Sequence, residues 1–214
     1  MTLREMTLEE LRALCELQMP MDFPPDELKT FGAMRTLCRR GVYHPVGAYD
    51  GGELLGYALL WDAPGGKYIL IDYLGVPAAK RNGGLGGLII RKLRERFAGS
   101  DGLFVEVEQL EGGPEDALRR RRMDFYRRSG FTFLDYSCVL FGVHYVVSLL
   151  SPNGKGTAEG TLAAHQALYR RHLTPKAYQE YIQIPSDQDR LLESPKSWAE
   201  LDNLPGLKKR KETP

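Results

Sequence analysis

The sequence predicts an α/β (α+β) chain: a mixed, mostly antiparallel central sheet flanked by helices, with a helical appendage at its C-terminal end. Three observations carry this. Apolar runs flank Asp50-Gly51-Gly52 and again Pro64-Gly65-Gly66, the turn signals of consecutive antiparallel strands. A glycine run, Arg81-Asn82-Gly83-Gly84-Leu85-Gly86-Gly87, joins a strand-like apolar stretch to an amphipathic helix. The stretch "FTFLDYSCVLFGVHYVVSLL" is rich enough in aromatic and β-branched residues for two strands about Phe141-Gly142.

Taken in order, "LREMT" reads as a short first strand, and Thr7 with Glu10 three residues on has the spacing of a capping box opening a helix. Pro24, Pro25, Asp26 and Glu27 suit the first turn of a second helix, with Leu28, Phe31, Met34 and Leu37 at helical spacing and an end near Gly41. Three antiparallel strands follow, the last through "KYILIDYLGV", then the glycines, a helix over roughly 84–98, and the strand "GLFVEVE", in which Glu106 and Glu108 share a face. A further helix runs from Pro114 to Gly130 and delivers Phe125 and Tyr126 near its end. Two strands close the sheet. Residues 157–184 read as helical, with Thr174-Pro175 starting a second short helix whose Tyr178, Tyr181 and Ile182 pack back on the domain. The division is thus a domain over 1–150, an appendage of it over 151–184, and a loosely ordered basic tail over 185–214 that holds "LKKRK".

A chain of 214 residues is long enough for one hydrophobic core and short for two enzyme domains. Its 29 Lys and Arg against 28 Asp and Glu leave a net charge of +1, so no global charge points to a nucleic-acid or membrane partner. The opening "MTLREMTLEELRALCEL" is charged where a signal peptide is apolar, and no run approaches 18 apolar residues, so a cytoplasmic location is expected. Cys15, Cys38 and Cys138 are odd in number and widely spaced, as reduced thiols are, and the histidines 44, 144, 165 and 172 form no ligand-spaced cluster, so no metal is expected.

The glycine run fails two phosphate-binding patterns. A P-loop needs Lys then Ser or Thr after the last glycine, where Leu88 and Ile89 stand; the dinucleotide fingerprint needs a glycine where Ile89 stands. The pattern R/Q-x-x-G-x-G/A fits Arg81 to Gly86 without a gap, and such a turn brings successive amides and a helix N-terminus toward one point, suited to a pyrophosphate.

With Val76 five residues before Arg81, and "FYRRSGF" about forty residues after Gly86, the chain resembles the GNAT N-acetyltransferase superfamily over residues 1 to about 150. It departs from the family pattern at Pro77, at Asn82, and at Arg119 and Arg122. The resemblance implies a three-layer fold and acetyl-CoA (coenzyme A) as co-substrate, with no metal. Its pyrophosphate would lie on the amides of Arg81, Asn82, Gly83, Gly84, Leu85, Gly86 and Gly87, and its pantetheine arm along Leu74, Gly75 and Val76, where two strands splay. Arg119 or Arg122, sharing a face with Tyr126, would meet a phosphate or the strand carboxylates, while Arg120 and Arg121 read as a solvated face.

Acetyl transfer to an amine needs a proton acceptor, an oxyanion donor and an acid for the departing thiolate. A backbone N–H near Leu74 is the expected oxyanion donor, and Tyr126 the expected acid, against a role as a core tyrosine. Glu108 is the first choice of base, with Glu106 and Asp72 behind it, against simple pairing of these carboxylates with Arg119 or Arg122. The expected acceptor is a small-molecule or peptide amine, drawn by Asp22, although Asp26 and Glu27 equally suit a helix start; Tyr136, His144 and Tyr145 are the alternative surroundings. A non-catalytic acyl-CoA binder is the rival function. Nucleic-acid binding through "LKKRK" ranks last, and the sequence leaves a homodimer open.

Overall fold

In the computed structural model, which describes residues 1–187, the strands make one eight-stranded sheet. They are β1 (Thr2–Glu5), β2 (Tyr43–Asp50), β3 (Glu53–Asp62), β4 (Tyr68–Gly75), β5 (Gly102–Glu108), β6 (Thr132–Leu140), β7 (Val143–Leu150) and β8 (Ile182–Gln183). Their spatial order is β1-β2-β3-β4-β5-β7-β6-β8, antiparallel throughout except for the central β4–β5 pair. The expected hairpins at Asp50 and Phe141 are present, and the latter turn is tight because Phe141 and Gly142 both take positive φ, 51° and 84°. The sheet does not end at residue 150, because Ile182 and Gln183 pair with Leu140 and Val139. The "LKKRK" tail lies outside the described residues.

Helices cover both faces. Against one face pack α1 (Leu8–Ala13), α3 (Phe31–Arg39), α6 (Ala158–His172) and α7 (Pro175–Tyr181), through Leu11, Met34, Leu37, Leu168 and Tyr169. Against the other pack α4 (Leu85–Arg96) and α5 (Asp116–Arg128), through Ile89, Ile90, Leu93, Phe125 and Tyr126. The result is the three-layer arrangement, with one apolar core on each side of the sheet.

Local signals explain the starts. Thr7 Oγ1 accepts from the Glu10 N–H at 3.2 Å and Glu10 accepts from the Thr7 N–H at 2.8 Å, a complete capping box. The first helix continues through a π-helical turn (Leu14–Gln18) into α2 (Met19–Asp22). The second predicted helix begins later than expected. Pro25–Glu27 is a separate 3-10 turn, Leu28 is extended, and the cap is Thr30, whose hydroxyl accepts from the Ala33 N–H at 3.2 Å. The acids of that turn therefore do not sit in the first turn of α3.

What positions the site is the divergence of β4 and β5. They pair only at Tyr68–Leu70 against Gly102–Phe104. Beyond that point β4 stays with β3 as far as Gly75, while β5 stays with β7 as far as Glu108. A bulge sharpens the bend: Leu60 faces Ile71 and Leu59 faces Tyr73, leaving Asp72 as the extra residue.

Candidate active site

The two diverging edges enclose a cleft of about 1000 Å³. Leu74, Gly75 and Val76 form its β4 wall, Glu106, Val107 and Glu108 its β5 wall, and Arg81, Asn82, Gly84, Leu85, Gly86 and Gly87 its mouth; Gly83 is not among the lining residues. Strand edges without a partner leave backbone N–H and C=O groups to be satisfied, which suits an extended, amide-bearing ligand.

At the mouth the chain turns into α4 through Asn82 and Gly84, at φ 69° and 73°, so a β-branched residue at 84 would be strained. Gly86 has a second reason to be glycine: a Cβ there would lie 3.1 Å from the Phe125 ring. The first-turn amides of α4 have no acceptor within the helix and carry its positive end. Arg91, Arg121, Arg122 and Arg128 also line the cleft. The residues present therefore fit the phosphates of a coenzyme A molecule.

Arg81 points sideways: its Nε donates to the Val76 carbonyl at 2.9 Å and its Nη2 to Asp22 Oδ1 at 2.7 Å. Asp22, 2% exposed, also accepts from Tyr57 Oη at 2.7 Å and Gln18 Nε2 at 3.0 Å. This corrects the view of Asp22 as an attractant for the acceptor, since its carboxylate is buried and already satisfied. It ties α2 to the glycine turn.

Helix α5 turns two of its three expected residues, Arg122 and Tyr126, to the cleft. Leu118, Arg121, Arg122, Phe125, Tyr126 and Ser129 line the cleft, and Arg121 donates to Asn82 Oδ1 at 2.5 Å. Arg119 is not brought there. Its guanidinium sits among Glu111 at 3.0 Å, Asp116 at 3.5 Å and Glu108 at 3.7 Å, so neighbouring carboxylates occupy the cation expected for a phosphate. Leu118 and Phe125, seven apart, were the signal for the true inner face.

Deeper in, the carboxylates differ by their partners. Glu108 is held by Arg122 Nη1 at 2.6 Å, with Arg119 beyond, so it is the paired carboxylate. Asp72, the bulged residue, is buried with Lys29 Nζ at 2.6 Å and Tyr43 Oη at 2.5 Å, and burial raises its pKa in spite of Lys29. Glu106 meets an imidazole and a phenol, His165 Nε2 at 2.7 Å and Tyr169 Oη at 2.9 Å. Both come from α6, and nothing in the sequence signalled them as site residues. Tyr126 stands between Phe125 and Phe131 at ring separations of 5.1 and 5.3 Å, and burial pushes its phenol up to about 12. Tyr145 also lines the cleft, whereas Tyr136 meets His165 and His144 lies outside the lining.

Among the described residues no three His, Cys, Asp or Glu side chains gather as for a metal ion, and no helix is long and apolar enough to cross a membrane.

Residues 8–131 match the family model described as "Acetyltransferase (GNAT) family". The chain is 32% identical over 111 residues to YjbC of Bacillus subtilis, whose name provisionally assigns it as an acetyltransferase; the match covers 51% of this chain and 52% of that protein. The chain thus spans about half the length of that curated relative. Among solved structures, one provisionally assigned to the GNAT family from Bacteroides thetaiotaomicron superposes with a TM-score of 0.58 at 21% identity, covering 71% of this chain and 87% of that one. The YncA protein of Salmonella typhimurium, provisionally an acetyltransferase and solved with acetyl-CoA, superposes at 0.53 with 16% identity, over 73% and 96% of the two chains. Likeness at these identities speaks for the fold, and a fold alone does not choose a reaction.

Proposed function

The chain belongs to the GNAT acetyltransferase family, and on that footing we propose that it transfers an acetyl group from acetyl-CoA to a primary amine, of a small molecule or a peptide, by direct attack in a ternary complex. One observation carries the reading. A single cleft joins the free edge of β4, the turn into α4, and two groups of opposite proton chemistry, Glu106 and Tyr126.

The amides opening α4 hold the pyrophosphate, and Leu74 to Val76 hydrogen-bond the pantetheine arm as a missing strand would. A ligand running back along β4 from that turn brings its thioester to the level of Asp72 and Tyr73. Counting on from the Leu70–Phe104 pair, Glu106 stands opposite that level and Glu108 opposite the arm. Glu106 therefore replaces Glu108 as the reading for the base, and the ion pairs of Glu108 support the change.

An alkylamine with a pKa near 10.4 must lose a proton before it can attack, and Glu106 takes it, directly or through one water. The amine nitrogen then forms a bond to the thioester carbon while a backbone N–H near Leu74 steadies the oxyanion. As the C–S bond breaks, the nitrogen of the intermediate gives its second proton to water and Tyr126 hydrogen-bonds the leaving sulfur. With Tyr126 near 12 against about 8.5 for a thiol, full transfer is uphill by about 5 kcal/mol. Tyr126 thus acts by stabilising the thiolate and keeps its own proton, and the thiolate takes its proton from water.

The test is release of free thiol from acetyl-CoA as primary amines are supplied, with acetylated amine identified by mass. Amine-dependent release that Glu106→Gln lowers about a hundredfold or more supports the reading. Binding of acetyl-CoA with no amine-dependent release would favour the rival, a non-catalytic acyl-CoA binder.

A further inference from the structure

We propose that His165, with Tyr136 behind it, is a positioning residue that holds Glu106 ready for the acceptor's proton, so that α6, beyond the family-matched residues 8–131, completes the active site. This rests on the reading of Glu106 as the base.

His165 is fully buried, and its two ring nitrogens have different partners. Nδ1 lies 3.3 Å from Tyr136 Oη and Nε2 lies 2.7 Å from Glu106 Oε1. With Glu106 as a carboxylate acceptor, Nε2 carries the proton given to Glu106, and in the neutral ring Nδ1 then accepts from the Tyr136 hydroxyl. Tyr169, one helical turn after His165, donates to the same Oε1 at 2.9 Å. Two donors thus anchor one carboxylate oxygen. The other, Oε2, makes no hydrogen bond among the described residues, and Glu106 lines the cleft, so Oε2 is the oxygen left for a substrate proton.

The support is rigid. The imidazole packs against the rings of Phe104 and Tyr169, at 5.3 and 5.6 Å. Tyr136 is presented from an irregular stretch of β6 where the register with β7 shifts between Phe133 and Ser137. The helix itself is fastened by Gln166 Nε2, which donates to the Ile184 carbonyl at 2.6 Å, and by the pairing of β8 with β6. A buried histidine under a carboxylate is not needed for packing, since apolar side chains of similar volume pack at least as well. A fixed carboxylate orientation is what it adds.

The experiment compares His165→Leu with His165→Gln in the full chain, measuring thiol release from acetyl-CoA with tyramine, spermidine and a dipeptide amide as probe amines, and coenzyme A affinity by calorimetry. His165→Leu is expected to lower kcat roughly ten- to a hundredfold, the scale of hydrogen-bond partners behind a reacting group, with coenzyme A affinity unchanged. His165→Gln, whose amide nitrogen reaches the place of Nε2, restores most of the turnover. If His165→Leu fails to fold, Tyr136→Phe serves: kcat falls with coenzyme A affinity kept, and ¹⁵N spectra show the imidazole losing its fixed Nε2–H form. Wild-type turnover in these variants, with Glu106→Gln inactive, overturns the positioning role alone. Equal loss in the Leu and Gln variants, together with lost coenzyme A affinity, also overturns it, since that is a merely structural role. If Glu106→Gln is as active as the wild type, or the wild type acetylates no probe amine, the reading of Glu106 as base falls and this inference with it.

Discussion

Arg81 and Asp22, fifty-nine positions apart, join at 2.7 Å across the mouth of the cleft, and the buried carboxylate also takes the Tyr57 hydroxyl. The glycine turn is thereby fastened to the N-terminal helical segment. Replacing Asp22 with Asn is expected to lower stability by about 1–3 kcal/mol, the cost of a weakened buried hydrogen-bond set, and to weaken coenzyme A binding. The acceptor's KM should stay where it is. Thermal melts and calorimetry check the first two; a raised KM with unchanged coenzyme A affinity would return Asp22 to the acceptor site.

At the turn itself, Gly84→Val forces a β-branched residue to φ 73°, and Gly86→Val sets a side chain against the Phe125 ring. Both should abolish the thermal stabilisation that acetyl-CoA gives the wild type, an effect any ligand of the native state exerts by mass action. Gly86→Val should also lower the melting temperature without ligand, because α4 and α5 must part. A Gly86→Val, Phe125→Ala double variant that regains its melting temperature but not the ligand shift separates packing from binding.

Tyr126→Phe should keep coenzyme A affinity and lower turnover by roughly ten- to a thousandfold. Because burial holds the phenol near 12, the group stays protonated through neutral and mildly alkaline pH. No falling limb belonging to Tyr126 should therefore appear in the kcat profile below about pH 10. A limb near pH 8 that Tyr126→Phe removes would mean that the phenol titrates far below 12.

The Lys29–Asp72 pair makes a prediction about stability. Both side chains are nearly fully buried, at 3% and 4% exposure, so Lys29→Met strands a carboxylate and should cost about 3–5 kcal/mol. Asp72 has a raised pKa in the fold, so the native state holds its proton more tightly than the unfolded chain and stability falls as pH rises from about 4 through that folded pKa. Lys29 limits the rise. The deficit of Lys29→Met should consequently shrink in acid and grow toward pH 7, and Asp72→Asn in the same chain should recover most of it. A deficit independent of pH would place the effect in packing alone.

Much of the fold was written locally. The capping box of Thr7 and Glu10, the hairpin at Asp50-Gly51-Gly52 and the turn at Phe141-Gly142 each depend on neighbours within a few residues, and each stands as expected. The glycine turn is of the same kind. What escaped the sequence depends on distant partners. Glu106 and His165 are fifty-nine positions apart, and only the return of α6 over the sheet brings them together. The bulge at Asp72 leaves no mark in an unbroken apolar run. On α5 the run of four arginines hides which of them faces inward: Arg121 and Arg122 line the cleft beside Leu118, Phe125 and Tyr126, and Arg119 does not.

The central claim is that the edge of β4 and the turn into α4 together hold coenzyme A. Amide hydrogen exchange of the full chain, with and without coenzyme A, tests it most directly. Slowed exchange is expected at Leu74 to Val76 and over residues 82–88, with little change in β1, β2 and β8. Saturating coenzyme A that leaves those amides unchanged, or protects another surface instead, would contradict it.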